Sequence, residues 1–162
     1  MAQKQLPKSM LLDGAQMALA AIIAGTMSYL KKRKIPIENW VSYIGEQFEG
    51  SWDDLKGKGT DEVMQHLLAL EVLPLGAEVI SSKLAADKAE VAVTTLPSKA
   101  VLEKFGTTPR ELLQDFGLTQ KDFASLYAMF EPSAAAIGLN FKHEVKGNQQ
   151  LLSLERAPRK KK

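Results

Sequence analysis

The chain contains no cysteine among its 162 residues. This absence excludes disulfides, zinc ribbons, iron–sulfur clusters and cysteine nucleophiles. It also fits a reducing compartment, so we expect a cytoplasmic protein. Histidine is scarce as well, with only His66 and His143 present. Few ways of building a metal site are therefore open to this sequence.

Uncharged runs are short, and the longest stretch of interest covers residues 14–30. It is followed by four basic residues at 31–34, an order that resembles a short membrane span with a positive flank. However, 17 residues is the lower limit for spanning, and the run is rich in Ala and Gly and contains Gln16 and Ser28. We therefore expect no membrane span. We also expect no signal peptide, because Asp13 interrupts the apolar core that one requires.

Charge is nearly balanced overall but unevenly distributed, with 21 basic and 19 acidic side chains and a net charge of +2. Five of the basic residues lie within 156–162. Without them the remaining chain carries −3, so a mildly acidic body precedes a strongly basic tail. Such a tail suits a disordered end or a contact with nucleic acid or anionic lipid.

The length fits one domain, and the composition is that of a globular protein. We expect a flexible N-terminus over residues 1–9, a single α+β domain over 10–156 and a disordered basic tail over 157–162.

The first element is predicted to be a helix from about Met10 to Arg33. One face has the spacing of a buried stripe and comprises Leu11, Ala15, Ala18, Leu19, Ile22, Thr26 and Leu30. A second face of small residues comprises Ala20, Ala24 and Ser28, with Ala21 and Gly25 beside it. Small side chains let another backbone approach closely. The helix is thus expected either to be covered on two sides or to form a dimer seam.

Apolar periodicity along the rest of the chain changes twice from 3.6 to 2 residues. Alternation over residues 78–95 and again over 139–154 predicts two β-hairpins. The residues between them predict helices, one opening at a capping box of Thr108 and Glu111. The predicted fold class is α+β, with about six helices packed on an antiparallel sheet built from two hairpins, in the order ααα-ββ-ααα-ββ.

Residue sets that carry chemistry are incomplete in this sequence. Glu62 and His66 have the spacing of two metal ligands on one helix face, but no third ligand accompanies them. Residues 56–60 contain only part of a phosphate-binding loop and follow a helix rather than a strand. We therefore predict no catalytic residue and no metal site, and the cofactor is unknown.

Residues 109–130 have the spacing of a helix-turn-helix, with two predicted helices flanking Gly117. The exposed face of the second helix would present Gln120, Lys121, Asp122 and Ser125. That face is not basic, whereas phosphate contacts supply most of the affinity of a DNA reader. Binding to nucleic acid is therefore not expected, and a DNA-associated role through these residues and the basic tail is an alternative.

The C-terminal third has a recognisable order, in which a helix leads through residues 132–138 into a hairpin. The hairpin reads Leu139-Asn140-Phe141-Lys142-His143-Glu144-Val145, a tight turn, and Leu151-Leu152-Ser153-Leu154-Glu155. This order resembles vinyl-reductase-type small-molecule-binding domains and the related amino-thiazoline-carboxylic acid hydrolase-like proteins, which are similar in fold to haem nitric-oxide-binding domains. The resemblance implies helices packed on an antiparallel sheet around an apolar ligand pocket, and often a dimer. Vinyl-reductase-type members typically carry cysteines in the final hairpin, which this chain lacks, so no catalytic residue is carried over.

Aromatic residues and one histidine are the best candidates for a ligand pocket, because several combine an apolar body with a polar group. The candidate ligand-binding residues are Tyr29, Trp40, Tyr43, Trp52, Tyr127, Phe141 and His143. We predict a small-molecule-binding or regulatory domain that holds an apolar or aromatic ligand between helices and sheet, possible as a homodimer. An enzyme of unrecognised type that uses the same pocket, around His143, is a second alternative.

Overall fold

The computed structural model describes residues 7–157, and within them it confirms the predicted fold class. Seven α-helices pack on one four-stranded antiparallel sheet made of two hairpins. The helices are α1 (Lys8–Lys32), α2 (Ile37–Gln47), α3 (Thr60–Leu67), α4 (Lys99–Lys104), α5 (Pro109–Asp115), α6 (Gln120–Ala124) and α7 (Glu131–Ala136). The strands are β1 (Val79–Leu84), β2 (Lys88–Thr94), β3 (Leu139–Lys146) and β4 (Gln149–Arg156). Short 3-10 segments cover Glu49–Leu55, Leu73–Leu75 and Ser125–Phe130, and a π-helical turn covers Leu68–Val72.

The structure contains one α-helix more than the six that were predicted. This additional helix is α7, which follows the last predicted helix. Pro132 is the second residue of α7. A proline fits there because the first turn of a helix needs no N–H donors. The helix before it is shorter than predicted, since α6 ends at Ala124 and the chain continues as a 3-10 segment to Phe130.

The sheet has the strand order β1-β2-β4-β3, so the two hairpins join through β2 and β4. One face packs against the helices and buries alternating side chains such as Val91, Leu152, Leu154 and Phe141. The opposite face carries ion pairs, among them Lys142 with Glu155. Strand β1 forms an edge whose six residues are all exposed.

Helix α1 is rotated relative to the sequence prediction. Its buried residues are Ile23, Ala24, Met27 and Ser28, whereas the stripe expected to be buried faces solvent, with Ile22 65% exposed. The small face is the one that packs against α2, α4 and the Leu73–Leu75 segment. Small side chains let α1 approach these elements closely.

By length and composition, α1 is a helix that could cross a membrane. It is the one such helix among residues 7–157, and 17% of its most apolar 18-residue window is buried.

Helix α1 begins at Lys8, two residues earlier than predicted. At the other end the Ala157 N–H donates to the Gly138 carbonyl at 3.1 Å, so Ala157 is still bound to the sheet. The other residues of the predicted basic tail, 158–162, lie outside the described range.

Candidate functional site

The seven predicted ligand-binding residues do not line one cavity. Tyr29 and Tyr43 are exposed by 56% and 60%, and Trp40 packs half-buried against the core. Trp52 and Tyr127, together with Phe141, are core residues exposed by 4% or less. The structure therefore separates two surface tyrosines from a buried group.

The buried group is a chain of ring contacts between the helices and the sheet. Phe130 is central, because its ring lies 6.3 Å from Trp52 in a stacked arrangement and 5.9 Å edge-on from Phe141. Tyr127 and Phe141 each lie 6.2 Å from the ring of His143. Such geometries are those of close-packed aromatic pairs. Trp52, Tyr127 and Phe141 thus belong to the hydrophobic core, and the half-buried His143 contacts Tyr127 and Phe141 from β3.

The indole nitrogen of Trp52, a polar atom of this cluster, is satisfied by a side chain from a neighbouring element. The Trp52 indole N–H donates to Glu71 Oε1 at 2.7 Å. Burial raises the pKa of the Glu71 carboxyl, and the hydrogen bond from Trp52 and the charge of His66 only partly oppose that effect. Glu71 lies in the π-helical turn, a rare element that often occurs at functional positions.

His143 is half-buried on β3 and is bracketed by two polar side chains. Its Nδ1 lies 3.4 Å from Gln150 Nε2, and its Nε2 lies 3.9 Å from Glu131 Oε1. Burial lowers the pKa of His143, although the Glu131 charge opposes this, so the ring is neutral at pH 7.

A groove of about 800 Å³ lies at the end of the sheet where β2 ends and the β3–β4 turn begins. It is bounded by α4, by α5 and by the start of α6. Its lining residues are Glu78, Thr94, Thr95, Pro97, Ser98, Lys99, Ala100, Glu103, Pro109, Arg110, Leu113, Gln114, Leu118, Thr119, Gln120, Gly147 and Asn148. Sequence reasoning missed this site because its residues come from separate segments with no shared motif. The nearest signal in the sequence was the cluster of helix starts between Ser98 and Gln120.

The walls of this groove divide into an apolar part and a charged part. Pro97, Leu113 and Leu118 are buried apolar residues. The Lys99 ammonium lies 3.7 Å from a carboxylate oxygen of Glu103. Arg110 has no ion-pair partner within residues 7–157. Beside its apolar wall the groove thus carries the Arg110 guanidinium, the Lys99–Glu103 pair and the carboxylate of Glu78.

Hydrogen-bonding side chains on the groove wall are partly used for structure. The Ser98 hydroxyl accepts from the Val101 N–H at the start of α4. The Thr119 hydroxyl accepts from the Asp122 N–H at the start of α6. The Gln120 amide donates to the Leu96 carbonyl. These contacts fix the wall, and the Thr119 hydroxyl also donates to a carboxylate oxygen of Asp122 at 2.9 Å.

A second cavity, of about 710 Å³, follows the outer face of the sheet. Charges of both signs alternate across it, from Lys83 and Glu90 to Lys142 and Glu144. Two of these are already paired, Glu90 with Lys88 and Lys142 with Glu155. His143 is the one predicted candidate among its lining residues.

Three of the four side chains on the face weighed as a DNA reader form internal contacts. Asp122 forms an ion pair with Lys31 at 2.7 Å, and the Ser125 hydroxyl donates to the Asp122 carbonyl at 2.6 Å. Gln120 is bound to the Leu96 carbonyl, and α6 is only five residues long. These side chains are thus committed to holding α6 in place.

A site for a metal ion is absent from the part of the chain that the structure describes, since no three His, Asp or Glu side chains come together there.

No protein-family model matches the chain, and no curated protein matches it significantly. The resemblance to vinyl-reductase-type domains therefore stays a prediction, and the candidate site of this domain is the groove at the end of its sheet.

Proposed function

We propose that this domain binds a small organic molecule in the groove between α4, α5 and α6 and the end of the sheet. The observation that carries the proposal is the groove itself, whose volume of about 800 Å³ suits a ligand of drug or metabolite size. Like the pocket expected from the sequence, it lies between helices and sheet. Its lining residues differ from all seven that were expected.

The ligand class follows from the two kinds of wall. Pro97, Leu113 and Leu118 offer an apolar surface to an aromatic or aliphatic body. The Arg110 guanidinium offers paired N–H donors that match the geometry of a carboxylate. An apolar molecule with one carboxylate fits both features.

Binding or regulation is favoured over catalysis by the chemistry of the groove. Neither His66 nor His143 lines it. The Ser98 and Thr119 hydroxyls are held in helix caps, and the carboxylate that Thr119 contacts, Asp122, is paired with the Lys31 ammonium at 2.7 Å. A nucleophile needs an adjacent base that is free to take its proton, so these residues support recognition without covalent chemistry.

Nuclear magnetic resonance titration of the whole chain tests this proposal. We would titrate 2-naphthoate, together with the neutral 2-naphthamide as a matched probe, and follow backbone amides. The groove-filling variant is Ala100→Trp, since Ala100 is an exposed lining residue of α4. Ala135→Trp is its control, because Ala135 is exposed on α7 and does not line the groove.

We expect 2-naphthoate to shift amides along the groove wall, and Ala100→Trp to abolish these shifts while Ala135→Trp leaves them unchanged. Arg110→Gln should weaken 2-naphthoate but not 2-naphthamide, with Lys121→Gln, at an exposed cation outside the groove, as control. Amide shifts that persist in Ala100→Trp, or that occur only outside the groove, would contradict the proposal.

A further inference from the structure

Helix α1 exposes an apolar stripe along its outer side. The stripe comprises Leu11, Leu12, Ala15, Ala18, Leu19, Ile22 and Tyr29. Leu11 and Tyr29 are each 56% exposed and Ile22 is 65% exposed. Contiguous apolar surface of this kind is uncommon on a monomer and marks a contact with a protein or a lipid.

Both ends of the stripe are basic. Lys8 lies one turn before Leu11, and Arg33 lies one turn after Tyr29, with its guanidinium 5.4 Å from the Tyr29 ring. Lys32 and Lys34 are exposed next to Arg33.

Acidic charge is absent from this surface of α1. Asp13 is the only acidic residue of the helix, and it is held by the Lys104 ammonium at 2.8 Å on the packed side. The outer side of α1 therefore presents apolar groups between two cationic ends, without a carboxylate among them.

We propose that α1 is a membrane-surface helix, which lies along an anionic phospholipid bilayer with its stripe among the acyl chains. The apolar side chains gain by leaving water, and the flanking cations reach the phosphate groups. Tyr29 suits this position because its ring is apolar and its hydroxyl is polar, a combination favoured at the membrane interface.

Charge distinguishes this occupant from a second copy of the chain. In a parallel pair of α1 helices, each Arg33 would face the other Arg33. In an antiparallel pair, Arg33 and its neighbours would face Lys8. Like charges meet in both arrangements, which costs free energy, whereas an anionic lipid surface neutralises them.

The packed side of α1 shows why the helix lies on a bilayer rather than across it. Ala24 and Met27 are completely buried against the domain. Asp13 is paired with Lys104, and the Gln16 amide donates to the Leu73 carbonyl at 3.4 Å. A spanning helix would have to break these contacts, while a helix in the interface keeps them.

Vesicle flotation of the full chain tests the proposal, with vesicles of phosphatidylcholine alone and of phosphatidylcholine mixed with phosphatidylglycerol. The stripe variant is Leu11→Ser with Ile22→Ser, both at exposed positions, so the fold is expected to persist and circular dichroism checks it. Leu70→Ser is the matched control, because Leu70 is 63% exposed on the π-helical turn. Lys8→Gln with Arg33→Gln tests the cationic ends.

We expect binding that requires phosphatidylglycerol and weakens with salt, since screening reduces attraction to the lipid surface. The stripe variant should lower the partition coefficient about tenfold or more, because it removes two large apolar groups. Lys8→Gln with Arg33→Gln should also lower it, whereas Leu70→Ser should leave it unchanged.

Four membrane-binding results would overturn the proposal. Two concern the wild-type chain: no flotation with phosphatidylglycerol at low salt, and membrane association that resists alkaline carbonate, which would indicate a spanning helix. The other two are flotation that the stripe variant does not reduce, and flotation that Lys8→Gln with Arg33→Gln does not reduce. A dimer in sedimentation velocity that Leu11→Ser with Ile22→Ser dissociates would assign the stripe to a second copy and overturn it as well.

Discussion

The indole N–H of Trp52 donates to a carboxylate oxygen of Glu71 at 2.7 Å, and this bond joins the segment after α2 to the π-helical turn after α3. Trp52 is completely buried and stacks on Phe130. Its polar atom is thus satisfied inside the domain, which accounts for the burial of Trp52 in the core.

Substitutions at Glu71 should separate the hydrogen bond from the charge. Because burial raises the pKa of Glu71 above 4.5, the ionised carboxylate destabilises the folded state. Stability from this group is greatest below pH 4.5 and falls as pH rises through the folded-state pKa. At neutral pH we expect Glu71→Gln to leave the free energy of unfolding unchanged or raise it by up to about 1 kcal/mol, whereas Glu71→Ala, which removes the acceptor, costs about 1–3 kcal/mol.

Urea unfolding of the three proteins at pH 7 and at acidic pH provides the measurement. Equal losses for Glu71→Gln and Glu71→Ala would show that the negative charge itself is required.

Acid should destabilise the domain through His143. Its folded-state pKa lies below the ordinary value of 6.5 because burial disfavours the charged ring, although Glu131 opposes this. The unfolded chain therefore binds the proton first, and stability present above pH 6.5 is lost as pH falls toward the folded-state pKa. When the pH is lowered from above 6.5 to below 6.5, we expect the free energy of unfolding to fall less in His143→Gln than in the wild type.

Chemical denaturation at several pH values measures that difference, with His66→Gln as control because His66 is the other histidine of the chain. A steeper pH dependence in His143→Gln than in the wild type would contradict the prediction.

Two helical glycines should respond to alanine with opposite signs. A Cβ at Gly45 would lie 2.8 Å from the Met129 carbonyl oxygen, so Gly45→Ala forces α2 away from the Ser125–Phe130 segment. We expect a loss of about 1–3 kcal/mol. A Cβ at Gly14 meets nothing within 4 Å in α1, so Gly14→Ala should stabilise by about 0.5–1 kcal/mol through the helix backbone.

Thermal and urea unfolding of both variants check the pair. Tolerance of Gly45→Ala would mean that α2 and the Ser125–Phe130 segment are not in close contact.

The Tyr127 hydroxyl has no hydrogen-bond partner within residues 7–157, although the side chain is 1% exposed. Burial also raises the pKa of Tyr127. Removing the hydroxyl should therefore not cost a hydrogen bond. We expect Tyr127→Phe to leave the free energy of unfolding unchanged or raise it by about 1 kcal/mol, as measured by urea unfolding. A loss of more than about 1 kcal/mol would indicate an unseen partner for the hydroxyl.

The hairpins and the capped helices were predictable because their signals are local. Alternation around Phe141 and the capping box at Thr108 each depend on neighbours a few residues apart. The rotation of α1 was not predictable, because Leu11 and Ile22 suit burial as well as Ala24 does. Which face is buried depends on how closely the neighbouring elements approach α1.

The site was harder to predict than the fold. Aromatic residues indicated a pocket, but Trp52 and Tyr127 fill the core. The groove depends on the meeting of Pro97, Arg110 and the β3–β4 turn, which share no spacing in the sequence.

The pairing of β2 with β4 has a consequence for the order of folding. Each hairpin closes over a short turn. Thr94 and Gln149, in contrast, can pair only when the chain between them, which contains α4 to α7, has formed a long loop that brings β2 and β4 together. Closing a long loop costs more entropy than closing a short one, and distant contacts slow folding. The two hairpins are therefore expected to form early and separately, and the seam between them to be the late step that commits the chain to its native topology.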